Sequence, residues 1–146
     1  MYPHHRPLLA LGLLLAPLVL SFASPRPVSA RDTRAPLTAR RVIVALQRSG
    51  LAVSRVQRQP IAGDPSGPPA TEREAWGFTL VHVAHGDGRL LLFSTTQRRD
   101  IKAAWYRRVG ARIIIYRNVI LWLDRGLAAT IVARCHSALV RAGLTL

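Results

Sequence analysis

One cysteine, one lysine, one methionine and only 7 acidic residues stand in a chain of 146. The lone Cys135 excludes an intramolecular disulfide, whatever the redox compartment. It falls on the apolar stripe of a predicted helix and reads as a small buried hydrophobe; an intermolecular disulfide or a nucleophile is the rival reading. Lysine is nearly absent for a compositional reason: of 21 basic residues, 20 are arginine and Lys102 is the exception. The patterns that announce common chemistries are missing too. No serine-glycine elbow, phosphate-binding glycine loop or glutamate-bearing zinc helix occurs, so no catalytic, cofactor-binding or metal-ligating residue is named by motif. The length allows one domain at most.

What the chain does have begins at its N-terminus. Met1 to Arg6 is short and basic, Leu8 to Ala23 is a sixteen-residue apolar run, and Ser24 to Ala30 is polar and proline-rich. That tripartite order is a secretory signal peptide, with the small residues Val28 and Ala30 placing cleavage after Ala30. An uncleaved N-terminal anchor is the alternative, since about 17 residues can just span a thin bilayer. No cysteine near the run can accept a lipid. The mature domain is expected at 31–146, with 19 basic against 7 acidic residues and a net charge of +12.

Along that domain the elements are legible in turn. Thr38 can cap a helix to about Ser49 in which Val42, Ile43 and Leu46 share a face, and Gly50 supplies a stop. Leu51 to Val56 reads as a short strand. From Gln57 to Ala70, four prolines and two glycines in fourteen residues give a surface loop. Trp76, Phe78, Leu80 and His82 then alternate with Gly77, Thr79, Val81 and Val83, and a turn at His85 to Gly88 leads into a second strand, Arg89 to Ser94. Thr95 or Thr96 caps a helix whose apolar stripe is Ile101, Ala104, Trp105 and Val109, with Arg99, Lys102, Ala103 and Arg107 opposite. Ile113 to Tyr116 and Val119 to Leu123 form a second hairpin in which Asn118 is the residue best able to take positive φ; a single long strand bent at Arg117 is the alternative. Asp124 caps a last helix striped by Leu127, Ala128, Ile131, Val132, Cys135, Ala138 and Leu139 and ending before Gly143.

The order α, β, break, β, β, α, β, β, α predicts an α/β (α+β) domain. Its expected form is a two-layer sandwich, an antiparallel or mixed sheet built from hairpins with helices packed on one face. Strands that are apolar on both sides leave room for a partner, or a second copy of the chain, against an exposed sheet face.

Several of these landmarks carry a resemblance. Thr38-Ala39, Gly50-Leu51-Ala52-Val53, Gly88 to Phe93, Trp105-Tyr106, Val119-Ile120-Leu121 and Leu127 to Leu139 resemble a family of small exported proteins of high-GC actinobacteria. Its members are often lipoproteins, mostly without assigned activity. Ala52 stands where that family has proline, Arg117 stands near its turn glycine, and the lipid-acceptor cysteine is missing. The resemblance implies an envelope or extracellular location and carries no catalytic residue across.

Chemistry has few footholds. His82 and His85 with Asp87 are metal-ligand types near a turn, yet in a regular strand the two histidines point to opposite faces. His136 adjoins Cys135, but neighbours on a helix diverge and do not pair as nucleophile and base. Asp64, Glu72, Glu74, Asp87, Asp100 and Asp124 are dispersed through turns and helix ends. The positive charge is the outstanding feature. It attracts polyanions in a salt-dependent way, and for an exported chain the candidates are anionic lipid, a wall polymer or an acidic protein, with nucleic acid disfavoured. Arg98, Arg99, Arg107 and Arg108 offer a helix-borne cluster, although arginine bias with diffuse solubilising charge explains the same composition. The expectation is an exported, non-catalytic binding or interaction protein of the bacterial envelope, periplasmic or extracellular. A membrane-tethered accessory subunit and a hydrolase or metal-binding protein of unrecognised type are the alternatives.

Overall fold

The computed structural model describes residues 35–61 and 70–144. The expected signal peptide, and residues 62–69 of the proline-rich segment, lie outside the described residues. Helix α1 (Ala39–Arg48) starts where the Thr38 hydroxyl accepts a hydrogen bond from the Arg41 N–H, 3.3 Å away. It ends at Ser49, followed by Gly50 at φ +80°. Val42, Ile43 and Leu46 are buried, as their spacing predicts.

Strand β1 (Val53–Gln59) runs further than the hydropathy pattern suggests, which gives 57–70 to a loop. Gln57, Arg58 and Gln59 pair with Gly77, Trp76 and Ala75 of β2 (Glu74–Leu80). A polar edge strand leaves no hydropathy signal; it exists because β2 offers it a ladder. The register shifts between Ser54 and Gln57, where Arg55 has φ +50°, so β1 carries a bulge.

The other elements follow in the expected order: β3 (Asp87–Leu92), α2 (Thr96–Arg108), β4 (Arg112–Tyr116), β5 (Val119–Leu123) and α3 (Ala129–Leu144). The sheet is β1-β2-β3-β5-β4 with every pair antiparallel. Helices α1 and α3 cover one face, burying Phe78, Leu80, Leu90, Leu92, Val119, Leu121 and Leu123. This is the expected sandwich.

Helix α2 adds to it on the reverse face, where Ala103 packs with Ala75, Leu91, Phe93 and Ile120 and is flanked by Tyr106, Ile113 and Ile115. The apolar residues of that face therefore lie under α2. The remainder, across β1, β2 and the start of β3, is polar: Gln57, Gln59, Thr79, Asp87 and Arg89.

Three local expectations are corrected. In α2 the stripe of Ile101, Ala104, Trp105 and Val109 does not face the sheet: Ile101 is 49% and Val109 44% exposed, while Lys102 and Ala103 are buried. In the β4–β5 turn it is Arg117 that has positive φ, +51°. Asn118 is buried instead, its Oδ1 accepting from the Leu37 N–H at 2.8 Å and its Nδ2 donating to the Leu37 carbonyl at 3.0 Å. Finally, Asp124 does not cap α3. Its Oδ1 accepts from the Gly126 N–H at 2.7 Å within the preceding turn, and the helix starts at Ala129 and continues through Gly143, which lies against the Tyr116 ring.

Candidate anion-binding face

Helices α1 and α3 owe their inner surfaces to the core and their outer surfaces to arginine. Arg40, Arg41 and Arg48 project from α1 and Arg134 and Arg141 from α3, and neither helix contains an aspartate or glutamate. A groove of about 800 Å³ runs between them, walled by Arg40, Arg41, Arg48 and Arg141 and floored in part by Val44 and Ala142. Leu144, 62% exposed, closes its end. Cationic walls over an apolar floor suit a ligand that presents both anionic and hydrocarbon surface.

The carboxylates of the described residues lie outside α1 and α3, the nearest being Glu74, which lines an adjoining pocket with Arg40 and Val44, and each is engaged. Glu72 pairs with Lys102 at 3.3 Å, Glu74 with Arg73 at 3.1 Å, and Asp100 with Arg99 at 2.6 Å. Asp87 accepts from the Thr79 hydroxyl at 2.9 Å, and Asp124 lies 3.5 Å from His85 Nδ1. Among the described residues, none of Arg40, Arg41, Arg48 and Arg134 meets a carboxylate. Arginine is found on other elements too, with Arg55 and Arg58 on β1, Arg89 on β3 and Arg98, Arg107 and Arg108 on α2; what distinguishes the α1/α3 layer is that its two helices carry arginine with no acidic residue of their own.

The other candidates from the sequence fall apart in space. Arg98 and Arg99 sit at one end of α2 and Arg107 and Arg108 at the other, roughly 14 Å away at the helical rise. Arg99 is also taken up internally, by Asp100 and by the Arg117 carbonyl. His82 and His85 occupy the β2–β3 turn at φ +60° and +56°, both exposed, and no group of three metal-ligating side chains forms among the described residues. Cys135 is buried on α3 and His136 is exposed beside it. Burial pushes the Cys135 thiol up to about 11, away from the thiolate a nucleophile needs.

Sequence reasoning missed the buried Glu72–Lys102 pair, whose side chains are 7% and 9% exposed. The one sequence feature that singles the position out is that Lys102 is the only lysine of the chain. Burial also raises the Tyr106 phenol, with the Glu72 charge adding to the shift and Arg89 opposing it. No family model, curated protein or solved structure matches this chain.

Proposed function

We propose that the chain is an exported, non-catalytic binding protein of the bacterial envelope whose α1/α3 face docks on an anionic lipid surface. The carrying observation is the groove with an apolar floor that Arg40, Arg41 and Arg48 of α1 and Arg141 of α3 wall, on two helices that contain no acidic residue. Phosphate headgroups meet the guanidinium walls, and acyl chain near the interface meets Val44 and Leu144. Each arginine held near an anionic surface contributes about 1 kcal/mol, so three or four suffice for reversible attachment without a lipid anchor. The N-terminal signal pattern delivers the domain to such a surface, and N-terminal sequencing of protein recovered from cells is expected to start at Arg31.

The test is co-sedimentation of the full chain with mixed phosphatidylglycerol–phosphatidylcholine vesicles. Binding is expected at about 20 mM salt and is expected to collapse near 150 mM as the Debye length shortens. The triple variant Arg40→Gln/Arg41→Gln/Arg48→Gln should weaken it about 100-fold, the loss of three headgroup contacts. Arg98→Gln/Arg107→Gln/Arg108→Gln removes the same charge from the opposite side and should leave most of the binding in place. Equal losses from both triples would reduce the effect to net charge, and no binding at low salt would end the proposal. Preferential capture by a soluble wall polyanion over vesicles would replace lipid as the target.

A further inference from the structure

The uncovered part of the reverse sheet face is a second surface with a different chemistry. Its central row runs in register across four strands, Gln57–Gly77–Arg89–Trp122, and Thr79 pairs with Asp87 one row away. Gly77 contributes no side chain, and the Gln59 amide lies where a Cβ would stand, so the row has a depression at its middle with an amide in its floor. Helix α2 raises Tyr106 as a wall beside Trp122. The result is a cleft of about 570 Å³, within the size range of sites that enclose small ligands. Tyr106 and Trp122 also line the adjoining groove toward Asp124 and Arg125, so the aromatic wall serves both.

The hydrogen-bonding groups of this cleft are unspent. Among the described residues, the side chains of Arg55, Gln57, Gln59, Arg89, Tyr106 and Trp122 make no hydrogen bond or ion pair. Asp87 is the one carboxylate among the described residues that line it, oriented by the Thr79 hydroxyl. Donors therefore outnumber acceptors, which calls for an anionic ligand. Asp87, two residues from Arg89 on the same strand face, opposes a multiply charged phosphate but can accept from a ligand hydroxyl. Planar amides, able to donate and accept at once, match neighbouring hydroxyls, and aromatic rings match a face of C–H bonds.

We propose that this cleft binds a carboxylated sugar unit: its carboxylate on Arg89, its hydroxyls on Gln57, Gln59 and Asp87, and its ring against Trp122 and Tyr106. The site lies across the sheet from the α1/α3 arginines and does not rest on them.

Titration of the full chain with tri-galacturonate, followed by tryptophan fluorescence and calorimetry, tests it. Saturable binding is expected, at least tenfold weaker for neutral tri-galactose and for Arg89→Gln, and unchanged in Arg40→Gln/Arg41→Gln/Arg48→Gln. Trp122→Phe should remove most of the fluorescence response while calorimetric binding persists. Arg89 and Trp122 are both at least partly exposed, and circular dichroism checks that each variant folds. No saturation up to about 10 mM ligand, a regime below useful affinity, overturns the proposal. Equal binding of the neutral sugar, or binding of a nucleoside monophosphate in preference to the uronate, overturns it as well.

Discussion

Lys102 and Glu72 hold opposite charges 3.3 Å apart at the edge of the α2 layer, and Glu72 accepts a further hydrogen bond from the Thr71 N–H at 3.0 Å. Removing one partner strands the other in a water-poor site. Lys102→Met is expected to cost about 3–5 kcal/mol in urea unfolding, and Glu72→Gln/Lys102→Met to recover most of it, because a neutral pair carries no desolvation penalty of that size. Cys135 supplies a pH test with a definite sign. Its thiol is held at about 11 in the fold against 9.0 for an ordinary thiol, so the folded chain binds that proton more tightly. Below pH 9 both states are protonated and the stability is fully present. Between pH 9 and 11 the unfolded chain ionises first and stability falls, by roughly 2 kcal/mol for a shift of this size. Denaturation curves at pH 8 and pH 10.5 should show that loss, and Cys135→Ala should lessen it.

At the scale of the element, α2 shows how apolar periodicity is overridden. Ile101, Ala104, Trp105 and Val109 recur at helical spacing, yet the helix docks through Ala103 and Tyr106. The small Ala103 side chain lets the helix approach Leu91 and Ile120 while Lys102 reaches Glu72. The expected consequence is measurable. Ile101→Glu and Val109→Glu should change unfolding stability by less than about 0.5 kcal/mol, whereas Ala103→Leu should lower it by about 1–3 kcal/mol through overpacking. The opposite result would mean that α2 docks by the apolar stripe after all. Helix α1 behaved differently because its apolar residues sit on one side without a competing alanine-and-tyrosine face. The β4–β5 turn shows a third outcome: Asn118 is the better left-handed residue by propensity, but its amide is committed to both backbone groups of Leu37, and Arg117 takes the positive φ instead.

Over the whole molecule, the sheet separates two unlike surfaces. One side presents a helical layer of arginine around an apolar groove; the other presents α2 beside an amide- and aromatic-lined cleft. Because the two lie on opposite faces of the sheet and share no residue, substitutions at one are expected to leave binding at the other unchanged. The two proposals together assign an anionic surface to one face and a small ligand to the other.

Order and type of the secondary elements, the burial of Val42, Leu46, Phe78, Leu90, Leu121 and Cys135, and the excess of positive charge were all set by local pattern. Cap residues, two-residue alternation and helical spacing are short-range properties that any reader of the chain can recover. Which face of α2 meets the sheet, that Gln57 to Gln59 form a strand, that Lys102 meets Glu72, and that Arg40, Arg41 and Arg48 of α1 meet Arg141 of α3 around one groove were decided only in three dimensions. Each depends on which distant residue arrives opposite, and a linear pattern contains the chemistry of the partners without their distance.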